Sequence, residues 1–185
     1  MKKLLLILLC LPLLFTTCKK EEDDNTPTNN TGNNSAQTYV PDDGFEQRLI
    51  DLSLDDVLDD YVKTSNISSV TSLYFYENTV SDVTGIEDFT ALRSLHALGN
   101  QITHLDIRQN THLDDLNLYQ NPLYSLDLRN GKSNYSGNMW ITVGQGHSLS
   151  CVSVDDVDWA NQNLRANGSN VYYFYPEPTF STNCN

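Results

Sequence analysis

The sequence predicts an α/β solenoid: a short array of parallel strands with an N-terminal helical cap and a C-terminal disulfide-closed cap. Three observations predict it. An apolar pattern recurs through the middle of the chain, opening at Val70, Leu92 and Leu113. A second apolar pair recurs between the copies. The flanks carry a helical pattern on one side and two isolated cysteines on the other. Self-similarity at a fixed period marks stacked repeats, none of which can bury its apolar face alone.

The first copy is Val70-Thr-Ser-Leu73-Tyr-Phe75-Tyr-Glu-Asn78-Thr-Val80. The second is Leu92-Arg-Ser-Leu95-His-Ala97-Leu-Gly-Asn100-Gln-Ile102, and the third is Leu113-Asp-Asp-Leu116-Asn-Leu118-Tyr-Gln-Asn121-Pro-Leu123. Each fits L-x-x-L-x-L-x-x-N-x-L, with Ala97 the weakest match, and the pattern resembles a leucine-rich repeat. The central L-x-L reads as a short strand with its apolar side chains inward and the intervening residue outward. The Asn turns the chain, and its amide can satisfy buried backbone groups from coil to coil. Leu105-Asp-Ile107 and Leu126-Asp-Leu128 predict extended segments on the opposite side of the coil. The stretch from Val80 to Leu92 is similar to an internalin-type repeat. Register is lost after Leu128, and Met139-Trp-Ile141-Thr-Val143 is expected to resume it as a fourth strand.

The repeats are assigned to residues 70–148, between caps at 39–69 and 149–185. Pro41-Asp-Asp-Gly-Phe45-Glu-Gln-Arg-Leu49-Ile50 reads as a helix capped by Asp42 or Asp43, with Phe45, Leu49, Ile50 and Leu52 on one face. Leu54 to Val62 is expected to add a short second turn. Leu149 to Val154 reads as a final strand, and Val171-Tyr-Tyr-Phe-Tyr175 as cap packing.

Residues 1–17, MKKLLLILLCLPLLFTT, have a basic start and an apolar run too short to cross a bilayer, as in a secretory signal peptide. Thr16-Thr17 before Cys18 resembles a bacterial lipobox, in which that Cys becomes lipid-modified. The charge run 19–24 and the Asn/Thr/Gly/Ser stretch that follows read as an export tag and a tether over 18–38. Cys10 leaves with the signal and Cys18 is taken by lipid. Cys151 and Cys184 remain to pair in an oxidising compartment. That bridge closes a loop of about 34 residues, worth roughly 3–4 kcal/mol on the chain-entropy model. Two cysteines without a C-x-x-C or a nearby His pair argue against zinc.

The order of parts resembles a group of exported leucine-rich repeat proteins of the Bacteroidota. The shared features are an opening like Val40-Pro-Asp-Asp-Gly-Phe-Glu, a segment like Thr84-Gly-Ile-Glu-Asp-Phe, and an ending like Leu149-x-Cys151-Val-x-Val-Asp-Asp with a late Phe180-Ser-x-x-Cys184. The resemblance implies surface display and no particular ligand. Members of that group commonly carry a C-terminal sorting domain, and the chain stopping at Asn185 is expected to use the lipid anchor instead.

Acids outnumber bases 24 to 11, for a formal net charge of −13 at pH 7. That balance disfavours nucleic acid and attraction to an anionic membrane surface. Contact with a membrane is expected only through the lipid on Cys18, at the bacterial outer membrane. No nucleophile elbow, phosphate-binding loop, zinc-protease or dinucleotide motif is present, so neither catalysis nor a cofactor is expected. His96, His104 and His112 fall on different sides of a coil, so no shared metal is expected. The acid pairs, Asp114-Asp115 among them, read as solvated surface.

Binding is the expected role. The outward strand residues and those just after them are Tyr74, Tyr76, His96, Leu98, Asn117 and Tyr119, joined by Trp140 and Thr142 if the fourth strand is in register. Stacking places them on one concave strand face, rich in the aromatic side chains that dominate binding hot spots. The partner expected is a protein, from a host or the bacterial surface. The alternatives are a glycan stacked on Tyr74, Tyr119 and Trp140, and a structural envelope role with no soluble ligand.

Overall fold

The computed structural model describes residues 36–76, 79–131, 140–144, 146–164, 173–174 and 176–184. All lie within one compact unit, Asn34–Asn185. Cys18, the signal segment and the tether lie outside the described residues.

Strand β1 (Gln37–Tyr39) pairs antiparallel with β2 (Tyr61–Lys63), and helix α1 (Asp43–Asp51) lies between them in sequence. Asp42 caps α1, its Oδ1 accepting from the Phe45 N–H at 2.9 Å. The helix seats Phe45 and Leu49 with no exposed surface. The Phe45 ring centroid lies 5.6 Å from that of Phe75 and 6.3 Å from that of Phe89, which joins the cap to the first coil. Gly44 permits this approach, since a Cβ there would come within 2.5 Å of the Thr79 carbonyl oxygen. Leu52 departs from the expected apolar face: it sits at the helix C-cap, 46% exposed. Residues 54–60 form no helical turn. Glu46 organises that loop from within the core, its Oε1 accepting from the N–H groups of Asp59 and Tyr61.

The repeats then build two parallel sheets. In the first, β3 (Ser72–Tyr74), β4 (Ser94–His96), β6 (Asp115–Asn117), β8 (Trp140–Gly144) and β10 (Tyr173–Phe174) stand side by side in that order. Leu73, Leu95, Leu116 and Ile141 share one buried row. The fourth strand is therefore in register, and Tyr173–Phe174 adds a fifth strand beyond it, while the rest of the predicted cap segment 171–175 lies outside the described residues. The second sheet runs β5 (His104–Asp106), β7 (Ser125–Asp127), β9 (Cys151–Ser153) and β11 (Thr179–Ser181). Leu105 and Leu126 are its inward row. The chain alternates between the sheets, so each coil buries its apolar residues between them. Helix α2 (Thr64–Ile67) precedes the first coil. Helix α3 (Val157–Asn163), capped by Asp156, follows β9.

Of the three repeat Asn residues, Asn78 lies outside the described residues, and the amides of Asn100 and Asn121 line the core as the repeat predicts. Asn121 donates to the Ala97 and Leu118 carbonyls and accepts from the Ile102 N–H. Asn100 does the same between Phe75, Leu98 and Val80. A second set was not read from the sequence. Asn110 donates to the Ile86 and Phe89 carbonyls, and Asn130 donates to the Asn110 carbonyl. A disulfide joins Cys151 to Cys184, with Cα atoms 5.8 Å apart. It ties β9 to the segment after β11, the strand with which β9 pairs.

Candidate binding face

The outward side of the five-stranded sheet carries the predicted residues. Period-2 alternation puts Leu73, Leu95, Leu116 and Ile141 inside and their neighbours outside. Register then sorts the neighbours into rows. Tyr74, His96, Asn117 and Thr142 form one row. Ser72, Ser94, Asp115 and Trp140 form the row beside it. Tyr76, Leu98 and Tyr119 follow their strands. Tyr74, Tyr76, Tyr119 and Trp140 are each 37–46% exposed, while His96, Leu98, Asn117 and Thr142 are half-buried.

The Tyr74 and His96 rings lie 4.8 Å apart, tilted at 58°. His96 Nε2 lies 2.7 Å from Asp115 Oδ2, and the Ser94 hydroxyl donates to the same oxygen at 2.8 Å. The Nε2 contact to a carboxylate places the imidazole proton on Nε2. Asp115 stands directly beside Trp140 in the register. One residue on each of four consecutive strands, Tyr74, His96, Asp115 and Trp140, thus forms a continuous line of two rings, a carboxylate and an indole. The sequence marked Asp115 only as solvated surface and did not single out Ser94, although both occupy the outward position that selected Trp140. Asn117 Oδ1 accepts from the Tyr119 N–H and fixes the turn that presents Tyr119. The Tyr119 ring lies over Gly144, where φ is +75° and a Cβ would collide with the ring.

Ser94, His96 and Asp115 do not make a nucleophile relay. The hydroxyl is bonded to the carboxylate rather than to the imidazole, so His96 does not stand as its base. His104 lies on β5 in the other sheet, and His112 lies in a turn against the Thr90 carbonyl at 3.1 Å. Among the described residues, no three His, Cys, Asp or Glu side chains converge in a way that holds a metal ion.

The second sheet has a different surface. Its repeated Asp-x-Arg pairs Asp106 with Arg108 at 2.6 Å and Asp127 with Arg129, and Arg108 also reaches Asp127 at 3.6 Å. Hydrogen bonds from Arg108 hold the Asp106 carboxyl below its usual value against the opposing effect of burial. A recess of about 280 Å³ opens beside these pairs, lined by acids that include Asp82 and Glu87. A broader recess of about 480 Å³ adjoins Tyr119, with Gln101, Gln120 and Pro122 on its walls.

Similarity to known proteins follows the repeats. Internalin J of Listeria monocytogenes is 32% identical over 77 residues, which is 42% of this chain and 8% of that protein. The crystal structure of an internalin (inlF) from the same species superposes with a TM-score of 0.51 at 18% identity, covering 66% of this chain and 40% of that one. The structure of internalin C2 gives a TM-score of 0.46 at 17% identity, covering 68% of this chain and 72% of that one. The fold is that of an internalin-like leucine-rich repeat array. The chain spans less than half the length of internalin J and of the inlF structure. No protein-family model matches it.

Proposed function

We propose that this is a non-catalytic binding protein that presents the outward face of its five-stranded sheet to a protein partner. The observation that carries the proposal is the exposure of four large aromatic side chains, Tyr74, Tyr76, Tyr119 and Trp140, on that one face. Tyr and Trp supply contact area at low entropic cost, and they concentrate in binding hot spots. A shallow array of parallel strands suits an extended macromolecular surface better than a small buried ligand. Export on the signal segment and lipidation at Cys18 would hold the domain at the bacterial surface, where such a partner is met. A glycan is the second reading, favoured by the amide-lined recess beside Tyr119.

The test is capture of partners from host extracellular extract and from the bacterium's own surface fraction. The wild-type protein is compared with Tyr74→Ala/Tyr119→Ala/Trp140→Ala, matched for folding by circular dichroism. A partner held by the wild type and lost by the variant is expected. A partner held equally by both overturns the assignment of the site. No partner from either source overturns the protein-binding reading and leaves the glycan and structural envelope roles.

A further inference from the structure

Resting on the reading of this sheet face as a binding surface, we infer that Asp115 is the anchor for a cationic side chain, Arg or Lys, supplied by the partner. Three features of the face converge on this. The carboxylate is pre-oriented, because Ser94 and His96 both bond to Oδ2, so Oδ1 carries no partner among the described residues. It is accessible, with its side chain 40% exposed. It lies in an aromatic line, with Trp140 beside it on β8 and the Tyr74–His96 pair on the other side. An ammonium or guanidinium group seated there meets a charged acceptor and an aromatic face together.

Local charge singles out this acid. Neighbouring Asp114 is answered by Arg93 at 3.2 Å. Asp115 has only a hydroxyl and an imidazole as partners, and no Lys or Arg pairs with it among the described residues. The whole chain, at −13, attracts a basic segment and repels an acidic one. A guanidinium fits best, since one N–H can reach the open Oδ1 while its planar face stacks on the indole.

The test uses the full chain and a labelled short peptide bearing two arginines, read by fluorescence anisotropy at fixed low ionic strength. The control peptide carries citrulline in place of arginine, which keeps the shape and removes the charge. The arginine peptide is expected to bind at least about tenfold more tightly than the citrulline peptide. Asp115→Asn should lose that preference. Trp140→Ala, which leaves the bonds to Asp115 intact, should weaken the arginine peptide several-fold. Asp60→Asn removes the same charge from the cap and should change the affinity less than twofold. Equal weakening by Asp60→Asn and Asp115→Asn overturns the inference, because the general acidic field would then explain the binding. Failure of the arginine peptide to bind overturns it as well. A captured partner lost by the triple aromatic variant but retained by Asp115→Asn refutes the anchor and leaves the face assignment standing. Retention by both variants refutes the two together.

Discussion

His96 Nε2 and Asp115 Oδ2 meet at 2.7 Å across the β4–β6 pair, and the Ser94 hydroxyl holds the same oxygen. The three residues leave the hydrophobic core untouched, since Leu95 and Leu116 fill it from the opposite side of the same strands. Their effect is to fix side chains on a face that is otherwise solvent-facing, so a partner docking on the proposed face would meet ordered groups and lose less entropy.

Asp42 joins the cap to the solenoid. Its Oδ1 caps α1, while Oδ2 accepts from Ser81 N, Ser81 Oγ and Asp82 N at 2.7–2.9 Å. Burial pushes its carboxyl up, but the hydrogen bonds from Ser81, Phe45 and Asp82 together hold it below the usual 3.8. Asp42→Ala is expected to cost about 2–3 kcal/mol in urea denaturation at pH 7. Asp42→Asn should cost about half as much, because an amide has one acceptor oxygen and can serve only one of the two sites. The ionised carboxylate stabilises the fold above pH 3.8. That contribution is lost as pH falls through the lower folded value, and the Asp42→Ala deficit should shrink with it.

Gly144 is demanded twice, by its φ of +75° and by the Tyr119 ring above it. Gly144→Ala should destabilise by at least about 2 kcal/mol, combining left-handed backbone strain with a steric collision. Tyr119→Ala in the same chain should relieve the collision and leave only about 1 kcal/mol of strain. A double-mutant cycle measures the difference. Additive losses would show that the ring does not rest on Gly144.

His147 is buried, its Nδ1 accepting from the Leu149 N–H, so Nε2 bears the proton and has no partner among the described residues. Desolvation lowers its pKa below 6.5. The folded state therefore favours the neutral ring. Stability is complete above 6.5 and declines as pH falls from there toward the folded value, because the unfolded chain takes up the proton first. Thermal unfolding scanned from pH 7.5 to 5 should show this fall. His147→Gln should flatten it, whatever its offset in Tm.

The loop over Glu46 carries the opposite sign. Burial raises the Asp55 pKa, the Asp56 N–H opposes that, and the charges of Glu46, Asp56 and Asp59 add to the rise. An acid raised in the folded state weakens the fold as pH climbs through 3.8 toward its folded value. Asp55→Asn should therefore stabilise the protein at pH 7 by a few tenths of a kcal/mol. Glu46→Ala should cost about 1–2 kcal/mol by leaving the Asp59 N–H without its acceptor, while the Tyr61 N–H keeps Asp59 Oδ1. Parallel chemical denaturation curves check both.

The solenoid was legible in the sequence because inward apolar positions recur from coil to coil and a turning Asn follows the strand at Asn78, Asn100 and Asn121. The same logic could have found Asn110, since Ile107-Arg-Gln-Asn110 repeats the spacing of Leu118-Tyr-Gln-Asn121, but not Asn130, which follows Leu128 by only two residues. Glu46 escaped because amphipathic reading counts Glu as polar surface, whereas the loop over it needs a buried acceptor. The outward residues of the sheet face proposed to bind were legible through period-2 alternation. Its internal bonding was not, because whether Asp115 reaches a diagonal neighbour depends on rotamers that spacing does not encode. Asp114 and Asp115 read alike in sequence, yet one pairs with Arg93 and the other with Ser94 and His96.

The most direct test of the binding face is hydroxyl-radical footprinting of the aromatic side chains, with and without a captured partner. Tyr74, Tyr76, Tyr119 and Trp140 should lose reactivity together in the complex. Tyr124 on the second-sheet side, 62% exposed, and Tyr39 and Tyr61 on the cap should keep theirs. Protection of Tyr124 or of the Tyr39–Tyr61 pair, with the sheet-face aromatics unchanged, would contradict the account and move the site to another surface.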